Sequence, residues 1–345
     1  MRSELRIWAR AALLSLVAIT VSCNSIGGLD QYTKVDCVDC GGGVGADGGG
    51  TAGWIEIKAE AGAAVPRGKF LVASLGDRLL AVGNVESSTA SETWEYREGK
   101  WSRITQGDPP NFAPAPFGQV PGGALAGATL AREARLLGGT VSGASAQCRA
   151  EAWKYSGGAW SKEEYVPPQS TSKGFVGTRL ALVKGGALAI GGSDCNDSAN
   201  RKAWILNASG WSEIVSSTPC LTRSGAGTST IHAASPDAQE VLLVDGAATY
   251  LWDGGATCEN KADAPTETNS SKVGQVWMTH DGTTLYLFAG GKLFKWSGSR
   301  WTELPGPNTA CPMPFGGGAV GPGRIALLCP AASGSDTATF EWQGR

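Results

Sequence analysis

From about residue 70 to the end of the chain, short apolar runs alternate with polar turns that contain glycine. Phe70 to Ala73 and Leu79 to Val82 flank the turn Gly76-Asp77, and the same arrangement surrounds Gly185-Gly186. Two short apolar runs around a tight turn are the pattern of a β-hairpin. Further runs of this kind start near Gly118, Gly225, Gly274 and Gly316. The pattern therefore predicts a series of paired strands.

A second kind of hairpin carries aromatic residues at a constant interval. Each consists of an aromatic residue, alternating positions, a polar turn and then a tryptophan, which also predicts two paired strands. The pairs are Trp94 and Trp101, Trp153 and Trp160, Trp204 and Trp211, and Phe294 and Trp301. In a fifth copy Tyr250 takes the first position and Thr257 is expected in the second.

The two kinds of hairpin alternate along the chain, so the repeating unit has four antiparallel strands. A period of about 40–50 residues with four strands is typical of a β-propeller blade. A double glycine follows the second strand at Gly138-Gly139, Gly191-Gly192 and Gly290-Gly291. Together with the aromatic residue in the third strand and the Trp in the fourth, it resembles the kelch repeat over residues 54–345. That resemblance implies an all-β, kelch-like propeller.

The ends of the repeat region indicate how the ring closes. The last unit runs through Thr339 to Arg345 and stops before its fourth strand, while Gly53 to Ile57 has the sequence expected of a fourth strand. Supplying this strand from the N-terminal side would cover an exposed sheet edge. We therefore predict a six-bladed β-propeller whose last blade is completed by an N-terminal strand, with the repeat tryptophans wedged between blades.

Composition agrees with this prediction and excludes some classes of protein. The chain has 50 glycines in 345 residues, about twice the usual share of 7%. Its charged residues make up only 17%, against about 25% in average proteins. Glycine at this level disfavours long helices, and 13 tryptophans argue against disorder. Because Lys+Arg (29) and Asp+Glu (31) nearly balance, the chain lacks the basic surface that nucleic acid requires.

The N-terminal residues have the features of an export signal. Residues 1–22 contain three arginines followed by an apolar run too short to span a bilayer. The segment ends in Val21-Ser22-Cys23, which resembles a bacterial lipobox and implies lipid attachment at Cys23; cleavage nearby without lipidation is the alternative. Residues 23–53 are glycine-rich and predict a flexible tether. We expect an exported protein on the bacterial envelope, at the outer membrane if lipidated and otherwise periplasmic or extracellular.

The remaining cysteines predict disulfides, because the chain is exported. Cys37 and Cys40 fall within the tether and are expected to form a local bridge. For the six cysteines of the propeller the expected pairs are Cys148–Cys195, Cys311–Cys329 and, by elimination, Cys220–Cys258. Metal ligation is the alternative, but no closely spaced Cys/His set resembles a zinc site.

Residues at the predicted starts of the inner strands suggest a ligand site. In a propeller the turns from strand one to two and from three to four lie on one face and are expected to be uniformly tight. The longer connections lie on the other face, where function is expected. A base or a phenylalanine lies close to the expected start of each inner strand, around the central channel: Arg67, Lys173, Arg223, Lys272, Phe117 and Phe315. An anionic ligand is one hypothesis for this set, and solvated charges at strand starts are the more common explanation.

No catalytic set stands out, since the chain has only two histidines. Asp194, Asn196 and Asp197 could hold calcium, although such clusters more often form turns; no other cofactor is expected. We expect a monomeric, non-catalytic binding or scaffolding module whose partner is an envelope protein or glycan. The alternative is a carbohydrate-active enzyme with a carboxylate pair at the channel mouth.

Overall fold

The structure, a computed structural model, divides the chain into two units, Met1–Gly50 and Thr51–Arg345. The described residues all belong to the second unit, and they are 53–59, 63–85, 91–107, 110, 123–128, 133–138, 151–164, 178–183, 186–190, 203–207, 209–214, 231–234, 241–246, 248–253, 257–269, 276–307, 311, 314–330 and 337–343.

The second unit consists of six antiparallel sheets of four strands each. In the first three sheets the strands follow one another in chain order from the inside outward. Blade 1 contains β2 (Gly68–Ser74), β3 (Leu79–Val85), β4 (Ser91–Arg97) and β5 (Lys100–Ile104). Blade 2 contains β6 (Gly123–Ala128), β7 (Glu133–Gly138), β8 (Ala152–Ser156) and β9 (Ala159–Lys162). Blade 3 contains β10 (Arg179–Val183), β11 (Gly186–Ile190), β12 (Ala203–Asn207) and β13 (Gly210–Glu213).

The next two sheets repeat this order, and the last one departs from it. Blade 4 contains β14 (Ile231–Ala234), β15 (Val241–Asp245), β16 (Ala248–Trp252) and β17 (Cys258–Asp263). After the short 3₁₀ turn Thr266–Asn269, blade 5 contains β18 (Trp277–His280), β19 (Leu285–Ala289), β20 (Lys292–Trp296) and β21 (Trp301–Leu304). Blade 6 contains β22 (Gly316–Gly321), β23 (Arg324–Pro330), β24 (Thr337–Gln343) and, as its outer strand, β1 (Gly53–Ile57).

The sheets are arranged in a closed ring. The inner strands contact one another in the order β2, β6, β10, β14, β18, β22 and back to β2. These strands surround the central channel, and the fold is a six-bladed β-propeller, as the sequence predicts.

The strand that closes the ring has the register of an ordinary blade. Trp54 of β1 lies opposite Trp342 of β24, with ring centroids 5.9 Å apart. In blade 1 Trp101 lies opposite Tyr96 in the same way, at 5.1 Å. The indole N–H of Trp54 also donates a hydrogen bond to the carbonyl oxygen of Pro305 in blade 5, at 2.6 Å. The prediction that an N-terminal strand completes the last blade is therefore confirmed.

The hydrophobic core lies in the seams between neighbouring blades. In the seam between blades 2 and 3, for example, Leu137 and Ala152 of one sheet pack with Trp204 of the next, and all three are almost fully buried. The seam between blades 3 and 4 joins Leu188 to Trp252 in the same way. Because strand side chains point alternately to the two faces of a sheet, each blade contributes to both of its seams.

Three of the fourth-strand tryptophans are fixed by a hydrogen bond across a seam. Their indole N–H groups donate to a threonine Oγ1 in the third strand of the preceding blade: Trp101 to Thr339 (2.8 Å), Trp160 to Thr93 (2.8 Å) and Trp301 to Thr249 (2.9 Å). The tryptophans thus wedge between blades, as predicted.

Blade 4 differs from the sequence prediction in its outer strand. Cys258, not Thr257, lies opposite Trp252 and occupies the position that tryptophan holds in the other blades. The turn before β17 is longer than in the other blades, and β17 pairs with β16 through a bulge next to Tyr250. The constant interval of the aromatic pairs is interrupted here, so the prediction of Thr257 in this position is wrong.

Candidate functional site

The two faces of the ring differ in the length of their connections. Strand one joins strand two, and strand three joins strand four, on what we call the tight-turn face; in blade 1 these connections are residues 75–78 and 98–99. Connections between blades, such as 105–122 and 163–178, lie on the opposite, long-loop face. Loops held on a rigid scaffold commonly carry binding residues, so the long-loop face is the candidate site.

The division between the two faces is less regular than the sequence predicts. Blade 4 has a longer connection, residues 235–240, on the tight-turn face, so the expectation of uniformly tight turns there is wrong. On the long-loop face, strands two and three are joined by 139–151 in blade 2 and by 191–202 in blade 3. The same connection is only 246–247 in blade 4 and 290–291 in blade 5. Among the connections between strands two and three, the long ones are therefore those of blades 2 and 3.

The structure places two of the six candidate ligand residues directly before inner strands. Arg67 precedes β2 and Phe315 precedes β22. The other four lie several residues upstream of their inner strands, which begin at Gly123, Arg179, Ile231 and Trp277. The positions of these four lie outside the described residues, so their place around the channel stays a prediction: Phe117, Lys173, Arg223 and Lys272.

Of the two remaining candidates, only Arg67 is exposed. Its neighbour Pro66 is buried and accepts a hydrogen bond from the Thr337 hydroxyl at 2.6 Å, which fixes the backbone beside Arg67. Phe315 instead packs in the seam between blades 6 and 1, against the cluster of Phe70 and Trp94. Phe315 therefore contributes to the core, while Arg67 is exposed at the edge of the long-loop face.

The inner strands also bring a cation to this face that the sequence analysis did not select. Arg179 is the first residue of β10, opposite Ile190 of β11. Part of its surface remains exposed, yet the surrounding protein desolvates the guanidinium and lowers its pKa to about 10. At neutral pH the group keeps its charge, because the pH is still well below this pKa. The sequence feature that could have identified Arg179 is its place directly before the apolar run Leu180 to Val183.

At the tight-turn end, polar groups connect three of the inner strands. The Ser74 hydroxyl of β2 donates to the carbonyl oxygen of Ala319 in β22 at 2.6 Å, and the Ala319 N–H donates to Thr279 Oγ1 of β18 at 3.4 Å. On the other side of β2, Gly127 approaches so closely that a Cβ there would lie 1.7 Å from the Ser74 carbonyl oxygen. The channel wall is thus tightly packed at this end, and the site is better placed at the opposite end.

Trp277 is a second feature of the channel wall. It begins β18 and stacks on Phe288 of β19, with centroids 5.4 Å apart and rings within 5° of parallel. Its indole nitrogen is buried and finds no acceptor among the described residues. Its ring lies near Gly317 of blade 6, where a Cβ would be 3.1 Å from the indole. The contacts of Trp277 are those of a seam residue, so they support a role in packing.

Two carboxylates on the tight-turn side, half-buried Glu95 and buried Glu341, pair with arginines. Glu95 accepts hydrogen bonds from Tyr155 Oη at 2.8 Å and from Arg78 at 3.2 Å. Glu341 accepts from Tyr96 Oη and from Arg324, both at 2.7 Å. The two arrangements are equivalent, because each joins an Arg and a Glu of one blade to a Tyr of the next.

The electrostatics of these groups are those of structural pairs. Hydrogen bonding to Asp77, together with the nearby negative charges, raises the pKa of Arg78 above its usual range. The pKa of Tyr155 is also raised above its usual range, mainly by burial and secondly by the hydrogen bond to Glu95. Blade 2 has the reversed pair at the equivalent position, Lys154 with Glu133 at 2.8 Å. Each of these carboxylates is thus engaged by groups of its own fold and has the contacts of a structural pair.

Asp281 links blade 5 to blade 6 on the same side of the ring. Burial opposes its ionisation, but backbone N–H groups of Gly323, Thr283 and Thr284 donate to the carboxylate at 2.8–3.0 Å, and the net effect lowers the pKa of Asp281. The Tyr286 hydroxyl donates to it as well, at 3.1 Å. With this many donors, the carboxylate acts as a fixed junction between two blades.

The structure bears on part of the cysteine and metal predictions. Cys311 and Cys329 form a disulfide with Cα atoms 5.7 Å apart, as predicted. Cys258 is also disulfide-bonded, to a cysteine outside the described residues. Among the residues that the structure describes, no group of His, Cys, Asp and Glu could hold a metal ion, and no helix is long and apolar enough to cross a membrane. The other predicted sites lie outside the described ranges: Cys23, Cys37, Cys40, Cys148, Cys195, Cys220, Asp194, Asn196 and Asp197.

Comparison with known proteins identifies the fold and no more. No protein family and no curated protein matches the chain. Among solved structures, that of YjhT is similar, with 14% sequence identity and a TM-score of 0.50 over 80% of this chain and 94% of that chain. At this identity the similarity shows the fold alone: the chain has a six-bladed β-propeller that is also represented among solved structures.

Proposed function

We propose that this chain is a non-catalytic binding or scaffolding module of the bacterial cell envelope, which holds its partner on the long-loop face. The observation that carries the proposal is the concentration of long connections on one face of a rigid ring, with Arg67 and Arg179 at the starts of inner strands on that face. The partner is an envelope protein or a glycan. The kelch resemblance supports the same role, since it implies a scaffold that displays loops.

Attachment and location form the second part of the proposal. The lipobox-like sequence before Cys23 supports lipid attachment, and residues 23–53 would then act as the tether to the outer membrane. Pairing with β1 covers the edge of β24 and gives blade 6 the same four strands as the other blades, which supports a monomer.

Binding is favoured over glycan cleavage by the contacts that the carboxylates make. Glu95, Glu341 and Asp281 each accept several hydrogen bonds or pair with arginine. A glycosidase would need a carboxylate pair about 5–9.5 Å apart, one member of which carries a proton. The described residues that border the long-loop face instead contribute arginines.

Photo-crosslinking from the two faces tests the proposal. A photoreactive residue replaces Arg67 at the long-loop face or, as the matched control, Lys100 at the tight-turn face; both side chains are exposed. Full-length protein expressed in its bacterial host is irradiated, and cross-linked products are identified by mass spectrometry. We expect a discrete product from position 67 and none from position 100. Equal capture from both positions, or none from either, would contradict the proposal.

A further inference from the structure

The closing strand β1 contacts blade 5 differently from the way other outer strands contact their preceding blades. Three other outer-strand tryptophans donate their indole N–H to a threonine of the preceding blade. The residue at that threonine position in blade 5 is Leu293, which is fully buried and has no side-chain oxygen. Trp54 donates instead to the carbonyl oxygen of Pro305, at 2.6 Å. The acceptor of the closing strand therefore belongs to the connection 305–315 between blades 5 and 6.

This connection, which we call the strap, crosses the seam between blades 5 and 6. Near its start Gly306 packs tightly on blade 5, since a Cβ there would lie 2.6 Å from the carbonyl oxygen of Gly291. Farther along, the disulfide between Cys311 and Cys329 joins the strap to β23, the second strand of blade 6. The disulfide thus fixes the middle of the strap to the blade that β1 completes.

The disulfide and the closing strand share one hydrophobic cluster. Cys311 and Cys329 are both 0% exposed and pack in the same cluster as Trp54 and Trp342. Cys329 also lies opposite Ala338 of β24, the strand with which β1 pairs. The strap therefore joins the hydrogen-bond acceptor of the closing strand to the disulfide over a short length of chain.

We propose that the Cys311–Cys329 disulfide is an oxidation-dependent latch for the closing strand, so that β1 is held firmly on the ring only after this bond has formed. Two protein thiols and one disulfide of an oxidant, such as oxidised glutathione, give the Sγ–Sγ bond and two thiols of the reduced oxidant. In the dithiol form the strap can move away from blade 6 and take the Pro305 acceptor with it. The edge of β24 then opens.

Burial of the sulfur atoms determines when the latch acts. Because both cysteines are 0% exposed, an oxidant or reductant cannot reach them in the closed ring. The latch is therefore set during folding, and it stays set while the ring is closed. For an exported chain, firm closure would follow transfer to an oxidising compartment. This inference goes beyond the proposed binding function and does not depend on it.

Hydrogen exchange of the full chain tests the latch. The C311A/C329A variant is compared with the wild type, and mass spectrometry of peptides reports the exchange of each strand separately. The peptide that covers β1 reports opening of the closing strand, and the peptide that covers β5 of blade 1 is the internal reference. We expect β1 to exchange about tenfold faster or more in the variant, while β5 changes by less than about twofold.

Two outcomes of this experiment would overturn the inference. Unchanged exchange of β1 in the variant would mean that the disulfide does not hold the closing strand. Equal acceleration of β1 and β5 would mean that the disulfide stabilises the whole ring and does not act as a latch.

The reverse measurement does not depend on whether the double variant folds, because it keeps both cysteines. Coupling between two sites is reciprocal, so weakening the contact of β1 must also make the disulfide easier to open. W54F removes the N–H that reaches Pro305, and the matched control W160F removes the equivalent N–H that reaches Thr93 at another seam. Dithiothreitol is added, and differential alkylation with peptide mass mapping gives the rate at which Cys311–Cys329 is reduced.

We expect W54F to speed this reduction about threefold or more and W160F to leave its rate close to that of the wild type. Equal rates in all three proteins would show that β1 and the disulfide are not coupled. Equal acceleration by both substitutions would show a general loosening of the ring. Either result would overturn the latch and leave the proposed binding function untouched.

Discussion

The hydrogen bonds between blades predict where a single added oxygen should stabilise this protein. Trp160 donates its indole N–H to Thr93 of the preceding blade, and the same bond recurs at two other seams. Trp211 is the equivalent tryptophan of blade 3, but its indole nitrogen is buried and has no acceptor among the described residues. The residue of blade 2 at the position of Thr93 is Ala152, which packs in the same cluster as Trp211 and has no oxygen to offer.

The magnitudes follow from burial. Thr93 is 2% exposed and Trp160 is 7% exposed, so Thr93→Val leaves a buried donor without an acceptor. The expected cost is about 1–3 kcal/mol in the free energy of unfolding. Ala152 is 1% exposed, and Ala152→Ser adds one atom that can accept the N–H of Trp211. We expect a gain of about 1 kcal/mol, which is about 2–4 °C in Tm for a domain of 150–250 residues and at the lower end for this one.

Ala203 provides the matched control for the added hydroxyl. Ala203 occupies the same strand position in blade 3 and is 3% exposed. In the outer strand of the next blade, however, Cys258 stands where the other blades have a tryptophan. Ala203→Ser therefore buries a hydroxyl with no indole to satisfy and should lower stability. The measurement is thermal and denaturant unfolding with the disulfides intact. If Ala152→Ser is no more stable than Ala203→Ser, the unpaired indole does not limit stability and the reasoning is refuted.

Three further predictions concern close packing, pH and ring closure. Gly127→Ala places a Cβ 1.7 Å from the Ser74 carbonyl oxygen and should strongly lower the free energy of unfolding. The control is Gly298→Ala, where φ is +90° but nothing lies within 4 Å, and the expected loss is roughly 1 kcal/mol. We expect Gly127→Ala to lose several times as much in denaturant unfolding, and equal losses would contradict this. Folding lowers the pKa of Asp281, so its contribution to stability is complete above the unfolded pKa of about 4 and is lost as the pH falls through the folded pKa. The stability advantage of wild type over Asp281→Asn should therefore shrink below about pH 4. A constant difference in the free energy of unfolding from about pH 7 to about pH 3 would refute this. Trp54→Ala removes the contacts that hold the closing strand and should lower the free energy of unfolding by about 2–3 kcal/mol. The exposed edge should also promote association, which size-exclusion chromatography would detect. A monomer of wild-type stability would instead show that β1 is dispensable.

The features predictable from sequence are those that the chain repeats. The positions of Trp101, Trp160 and Trp301 follow from an interval that recurs in several blades, and the closing strand at Trp54 follows from one missing copy of the same pattern. A hairpin fixes its own register through a short turn, so local residues are sufficient to place these strands.

The candidate site depended on information that is not local. The structure describes β10 only from Arg179 onward, several residues after Lys173, so a base beside a glycine is a weak local signal for the start of an inner strand. Arg179 could not be distinguished from a solvated charge at a strand end, since its environment depends on the seam that blade 4 completes. The Tyr155–Glu95 pair likewise joins two blades, so only the assembled ring shows it.

The position of β1 determines how the ring would carry mechanical load. Gly53 lies opposite Gln343, so the chain enters the ring at the tight-turn face, beside the last described residue of the chain. A pull between the N-terminal segment and a partner on the long-loop face would act along β1, and antiparallel hydrogen bonds, being perpendicular to the strands, would then be strained together in shear. A pull between the two ends of the chain would instead open the same pairs one at a time, beginning at Gly53. Of these two directions, the pairing of β1 with β24 should resist more force in the first, because all its hydrogen bonds share the load.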